Sequence, residues 1–151
     1  MKTLVIFALA LFFIPLQQGR PAQSEGVDPR LKMIKEEIEK TTPEGKEVIE
    51  HVKRMLPEVN AQLSALPLEK LVEKVAKENK LTPLGWAAAI KTNGRWKVTF
   101  YYKDERLLYP KDDAIKYQTA EWEYNPEEVT LYPFEEVNAP QFWSGPTRGE
   151  D

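Results

Sequence analysis

Apolar residues recur at two different spacings along the chain, and the change of spacing separates a helical half from a stranded half. Residues 28–80 carry apolar side chains three or four positions apart, which predicts amphipathic helices. Asp28-Pro29 and Thr42-Pro43 each combine a capping residue with a proline at the first helical position, so both indicate a helix start. Residues 85–135 alternate apolar and polar side chains instead. Helices followed by strands predict an α+β fold with the helices on one face of an antiparallel sheet.

A long apolar stripe from Val48 to Leu66 follows the second helix start. Pro57 lies inside this stripe, and a proline within a helix costs about 3 kcal/mol because its ring clashes with the preceding turn. We therefore expect a kink or a restart at Pro57, with the apolar face continuing through it. Pro67 opens a further helix that ends at Asn79-Lys80. The helical half is predicted to be a helical hairpin or a pair of kinked helices packed on the sheet.

The second half predicts a four-stranded antiparallel meander with strands at residues 86–92, 95–103, 115–124 and 129–134. In the third strand, Ala120, Trp122 and Tyr124 share a face, whereas Ile115 and Tyr117 have the opposite parity. A bulge near Gln118 would bring the two sets to one face. The strand period stops after the fourth strand. We expect a single domain over residues 25–137, followed by an irregular segment and a loose tail over residues 138–151.

The turn at Asn93-Gly94 decides which side chains of the first two strands face the core. A two-residue type I′ loop would pair Thr92 with Arg95 and leave apolar and charged groups mixed on both faces. A three-residue loop closed by Gly94 in the left-handed conformation pairs Lys91 with Arg95 instead. It collects the apolar side chains on one face: Trp86, Ala88, Ile90, Trp96, Val98, Phe100 and Tyr102. Because misplacing two large apolar side chains costs a few kcal/mol at about 1.5–3 each, we favour the three-residue loop.

The first 24 residues have the pattern of a secretory signal peptide. Lys2 precedes an apolar run from Leu4 to Leu16, which as a helix would span about 20 Å, short of the ~30 Å hydrocarbon core of a membrane. Ala22 and Ser24 place small residues three and one before a cleavage ahead of Glu25. An uncleaved tail or a buried N-terminal helix is the alternative. We expect a protein exported to the bacterial periplasm or the cell exterior, touching the membrane only through this segment before cleavage.

Charge and cysteine content narrow the classes of partner. The chain carries 21 basic and 24 acidic residues, and loss of Lys2 and Arg20 with the leader changes the net charge from −3 to −5. An acidic chain argues against a nucleic-acid partner, since such proteins normally present a basic face. The chain contains no cysteine, so no disulfide framework is available and the fold depends on packing.

Few residues suggest catalysis. His51 is the only histidine and the chain has no cysteine, so the residues that usually form a catalytic triad or a zinc site are missing. The glycines are scattered and form no phosphate-binding loop. A carboxylate cluster at Asp104, Glu105, Asp112 and Asp113 is interspersed with Lys and Arg, as on a solvated surface. The sequence therefore predicts no metal and no cofactor, and it favours a protein that is not an enzyme.

Aromatic residues are the positive signal for binding, since they make up 11% of the chain and concentrate after Trp86. Most are expected in the core. Tyrosine and tryptophan on an exposed sheet face or edge are effective anchors for a partner. The candidate partner-binding surface consists of Tyr101, Tyr132, Phe142 and Trp143.

The run GRWKVTFYYKDE, followed by IKYQTAEWEYNPEEVTLYPFEE, resembles the PepSY-type pattern. The similar positions are Trp96, Tyr124, Asn125, Glu128 and Tyr132. The resemblance covers residues 86–134, but no glycine follows Asn125 and the preceding helices are longer than one such module needs. It implies a non-catalytic exported module, in some cases inhibitory or regulatory toward a partner protein, and it assigns no site residue.

Two functions stay open at this point. The first is an exported non-catalytic module that binds a protein or an envelope component, with a regulatory or inhibitory role. The alternative is a small-ligand-binding protein or enzyme with a pocket between a curved sheet and the helices. A pocket of several hundred cubic ångströms lined by Trp86, Trp96 and Trp122, with a buried acid at its base, would favour the alternative. A filled core with aromatic residues at the surface would favour the first.

Overall fold

The computed structural model describes residues 28–106, 116–134 and 137–142. The predicted signal peptide, the first residue of the predicted third strand, Ile115, the acids Asp112 and Asp113, and Trp143 lie outside these residues. The chain divides into two compact units, Met1–Lys32 and Met33–Asp151. Of the first unit, the described part is residues 28–32, where the Asp28 carboxylate accepts a hydrogen bond from the Arg30 N–H at the start of a helix. All packing described below belongs to the second unit.

Three α-helices lie within the described residues: α1 at Pro29–Glu39, α2 at Pro43–Val52 and α3 at Leu68–Glu78. The predicted start of α2 is confirmed. Its capping Thr42 hydroxyl accepts a hydrogen bond from the Gly45 N–H at 3.0 Å, and Pro43 occupies the first turn, where a missing N–H costs nothing. No helix within the described ranges is long and apolar enough to cross a membrane.

The expected continuation of the helical stripe through Pro57 is wrong. Helix α2 ends at Val52, and Pro57 leads into a two-stranded ribbon formed by β1 at Glu58–Val59 and β2 at Gln62–Leu63. Proline excludes the preceding residue from helical geometry, and Asn60 and Ala61 both take positive φ angles, 52° and 65°, in the tight turn between the strands. The helix restarts only after Pro67.

The main sheet contains four antiparallel strands in the order β3-β4-β5-β6, which confirms the predicted α+β meander. The strands are β3 at Leu81–Ile90, β4 at Trp96–Asp104, β5 at Tyr117–Asn125 and β6 at Thr130–Pro133. Strand β3 begins five residues earlier than expected. Its pairing with β4 shifts between Pro83 and Gly85, where two steps along β3 oppose one step along β4. This bulge brings Pro83 and Trp86 to the same face although they are three residues apart.

The three-residue loop between β3 and β4 is confirmed. The Lys91 N–H donates to the Arg95 carbonyl at 2.7 Å, and Gly94 has a φ of +82°. The pairs Ile90–Trp96, Ala88–Val98 and Trp86–Phe100 follow.

The expected bulge near Gln118 is wrong, because the pairing of β4 with β5 runs without interruption from Lys103–Tyr117 to Trp96–Tyr124. Tyr117 therefore lies on the opposite face from Trp122. It is buried there, with the Lys103 ammonium 5.9 Å from the centre of its ring. The side chain of Lys103 thus covers Tyr117, which the expected bulge would have turned toward the core.

The hydrophobic core lies between the inner face of the sheet and helices α2 and α3. Trp122 and Val98 are fully buried, and Phe100 nearly so, under Val52 of α2 and Val75 of α3. A predicted core residue at the end of β3 is misplaced. Ile90 is 59% exposed, because it is the last residue of an edge strand.

Candidate functional site

Tyr101 and Tyr132 lie on the outer face of the sheet, the face opposite the core. Tyr101 is half-buried on β4, whereas Tyr132 is 39% exposed on β6 and stands opposite Glu123. Strand β5 lies between their strands. The structure therefore places both tyrosines on one face without bringing them together in one site.

Phe142 is not accessible, so its place in the predicted binding surface is wrong. It ends a short 3₁₀ helix, Pro140–Phe142, and is 1% exposed. Its ring centre lies 5.5 Å from that of Tyr102 and 6.1 Å from that of Trp122. The segment after β6 returns to the sheet because this ring completes the core. Trp143 lies outside the described residues.

The outer face carries charges that are largely paired within the chain. The Glu123 carboxylate accepts hydrogen bonds from Lys91 at 2.7 Å and from Arg95 at 2.9 Å, and these bonds hold the pKa of Glu123 below its usual value. Lys97 lies 3.6 Å from Glu121. These cross-strand pairs leave little uncompensated charge on β4 and β5 to attract a charged partner.

A trough of about 140 Å³ lies on the same face, floored by the small side chains of Ala87, Ala89 and Thr99. Tyr101 forms part of its wall, and Glu37 and Lys40 approach it from the chain at the end of α1. The volume is small compared with the several hundred cubic ångströms of typical ligand pockets. The trough is a weak candidate for a binding site.

The strongest candidate site is an apolar groove beside Trp86, which was not expected from the sequence. It has a volume of about 260 Å³. We call it the Trp86 groove, and its lining residues are Lys53, Glu69, Val72, Glu73, Ala76, Pro83, Trp86 and Phe100.

Helix α3 and strand β3 build the two sides of the Trp86 groove. The bulge at Gly85 turns both Pro83 and Trp86 toward it. The first turn of α3 is held against the end of α2, since the N–H groups of Leu68 and Glu69 donate to the carbonyls of Met55 and Lys53. The groove is thus preformed by backbone contacts between neighbouring elements.

The Trp86 indole is half-buried and supported from behind by packed aromatic rings. Its centre lies 5.0 Å from Phe100 and 6.1 Å from Trp122. The Lys53 ammonium lies 5.7 Å from the ring centre and forms an ion pair with Glu50 at 3.0 Å. The position over this ring therefore already accommodates a cation.

The residues considered for catalysis do not form an active site in the described ranges. No group of three or more His, Asp or Glu among them could hold a metal ion. His51 is exposed on α2, with its ring 5.5 Å from that of Tyr124. The Asp104 carboxylate accepts two hydrogen bonds from the Arg106 side chain, and these bonds lower the pKa of Asp104. A carboxylate held ionised in this way is poorly suited to general acid catalysis.

Tyr102 is buried and does not supply a catalytic base. Burial, with a smaller contribution from the nearby Asp104 charge, raises its pKa to about 12. Its hydroxyl is therefore protonated at neutral pH and cannot act as a base.

The residues that carry the PepSY resemblance have structural roles of their own. Trp96 and Tyr124 are buried in the core, and the Asn125 side chain accepts hydrogen bonds from the N–H groups of Glu127 and Glu128 in the last turn. The resemblance stays a prediction. Comparisons of the chain with protein-family models, with curated proteins and with solved structures find no match.

Proposed function

We propose that this chain is an exported, non-catalytic module that binds a protein partner through the Trp86 groove. The observation that carries the proposal is a half-buried tryptophan at an apolar surface groove, backed by a packed core. The leader pattern of residues 1–24 is what supports export. A regulatory or inhibitory role toward the partner is part of the same proposal.

The groove has the properties of a site for an anchoring side chain. Its apolar lining residues Val72, Ala76 and Phe100 are buried members of the core and therefore cannot collapse into the space. Inserting one apolar side chain of a partner against them would gain about 1.5–3 kcal/mol. Preformed pockets that take such anchors account for much of the affinity of many protein interfaces.

The alternative function, a ligand pocket between the sheet and the helices, has less support. It requires Trp86, Trp96 and Trp122 to line one cavity. Trp122 is fully buried and Trp96 nearly so, whereas Trp86 lines the groove at the surface. Packing of the two other tryptophans into the core favours a module that binds at its surface.

The test is crosslinked capture from the native envelope with residues 25–151 as bait. Trp86→Ala should lose the partner that the unchanged bait captures, because the anchor site is removed. Tyr132→Ala is the matched control on the outer face and should keep that partner. Circular dichroism verifies that both variants fold. Equal capture by Trp86→Ala and the unchanged bait would contradict the groove as the binding site.

A further inference from the structure

Helix α3 separates its charges between the groove and the solvent. Glu69 and Glu73 line the Trp86 groove, one helical turn apart on the same side of the helix. The lysines of the helix, Lys70, Lys74 and Lys77, do not line it. The α3 side of the groove is therefore acidic, although the helix as a whole carries both signs of charge.

The two acids are available to a partner. Glu73 lies 3.4 Å from Lys70, and both side chains are more than half exposed, so solvent weakens this pair and Glu73 can exchange Lys70 for another cation. Glu69 forms no ion pair with another residue in the described part of the chain. Lys53, the basic residue that lines the groove, is paired with Glu50 outside it.

We propose that the Trp86 groove takes a basic–apolar segment of a protein partner, a proposal that rests on the function proposed above. An apolar or aromatic side chain of that segment packs against Trp86, and lysine or arginine residues beside it pair with Glu69 and Glu73. The charge of the rim selects this occupant over an acidic segment. The net charge of −5 of residues 25–151 also disfavours anionic surfaces such as nucleic acids.

The spacing of the two acids suits an extended segment. Glu73 follows Glu69 by four positions along the helix, which corresponds to a rise of about 6 Å. An extended chain advances about 3.3 Å per residue, so basic residues at alternate positions match that rise. The geometry thus defines the probe: a phenylalanine followed by two basic residues that are separated by one position.

The experiment titrates capped hexapeptides into ¹⁵N-labelled residues 25–151 and follows the indole resonance of Trp86, assigned with Trp86→Phe. The peptides share one phenylalanine and carry two lysines, two glutamines or two glutamates at the alternate positions. We expect the lysine peptide to bind about 2- to 30-fold more tightly than the glutamine peptide, since two exposed ion pairs contribute about 0.2–1 kcal/mol each. The advantage should shrink at high salt, because screening weakens exposed pairs.

Two double variants test whether the charges of the groove, rather than its shape, cause the preference for the lysine peptide. The double variant Glu69→Gln/Glu73→Gln should lose the preference for lysine while still binding the glutamine peptide. Lys74→Gln/Glu78→Gln, which removes an exposed ion pair of α3 that does not line the groove, is the matched control and should keep the preference. Both pairs change only surface side chains, so circular dichroism is expected to show an unchanged fold.

The outcomes distinguish this inference from the proposed function. Equal binding of the lysine and glutamine peptides at the groove overturns the inference and supports an apolar site of another specificity. Absence of any shift at Trp86 with all three peptides overturns both. Shifts that depend on protein concentration without peptide would assign the groove to a second copy of the chain and also overturn the inference.

Discussion

Replacing Phe142 with alanine should remove a large part of the stability of the fold, because its ring fills space between the sheet and α3. The side chain is 1% exposed and is one of the largest fully buried groups of the described chain. It packs edge-on against Trp122, with an angle of 81° between the ring planes, and also contacts Phe100 and Tyr102. The truncation would leave a cavity bordered by three aromatic rings that are themselves fixed by the sheet.

The expected loss is about 3–5 kcal/mol, which combines the transfer free energy of the lost ring with the cost of the cavity. A domain of this size has a total stability of about 5–15 kcal/mol, so the variant loses about a fifth of it or more. With a urea dependence of about 2 kcal/mol per molar, the unfolding midpoint should fall by about 1.5–2.5 M.

Equilibrium urea unfolding of residues 25–151, followed by circular dichroism, measures this loss. Val137→Ala is the matched control, since Val137 belongs to the same segment after β6 but is 46% exposed. It should change stability by about 0.5 kcal/mol or less. A loss below about 1 kcal/mol for Phe142→Ala, or equal losses for the two variants, would refute the assignment of this segment to the core.

Two further changes test the backbone and the charges. Val129→Asn should stabilise the fold by about 1 kcal/mol and raise the thermal unfolding midpoint. Val129 has a φ of +54° in the last turn and is 56% exposed, whereas asparagine tolerates the left-handed region. A lower thermal midpoint would show that the valine side chain makes a contact that outweighs the strain. Asp104→Asn should destabilise the fold at pH 7, and its gap to the unchanged protein should close in acid. Arg106 lowers the pKa of Asp104 in the folded state. The ionised Asp104 therefore contributes its full stabilisation above the pKa of about 3.9 that it has in the unfolded chain, and this stabilisation is lost as pH falls through the lower pKa of the folded state. Urea midpoints at pH 7 and pH 2 measure this, and a gap that is the same at both values would refute the ion-pair explanation.

The register of β3 and β4 could be predicted because it depends on neighbouring residues. Pairing Ile90 with Trp96 puts Trp86 and Ile90 on the same face as the apolar side chains of β4 that face the core, and the alternative would misplace these two. The bulge at Gly85 also has a signal in the sequence. A proline and a glycine two residues apart at the start of a strand pattern indicate a break in the pairing.

The binding groove could not be predicted from the same patterns. Trp86 has the alternation of a core residue, and it does pack on Phe100 and Trp122. Whether its outer side is covered depends on where α3 lies across the sheet. That position follows from hydrogen bonds between the start of α3 and the end of α2, which no local pattern specifies.

By itself, the sequence determined the α+β class, the order of the four strands in the main sheet, and the face that β3 and β4 turn inward. These properties follow from the spacing of apolar residues, because neighbours along an element share a face. Only the tertiary structure decided that the chain after Val52 forms a ribbon, that Phe142 is buried and that Trp86 borders an open groove. Each of these depends on contacts between distant parts of the chain, and there a side chain is buried or exposed according to what packs over it.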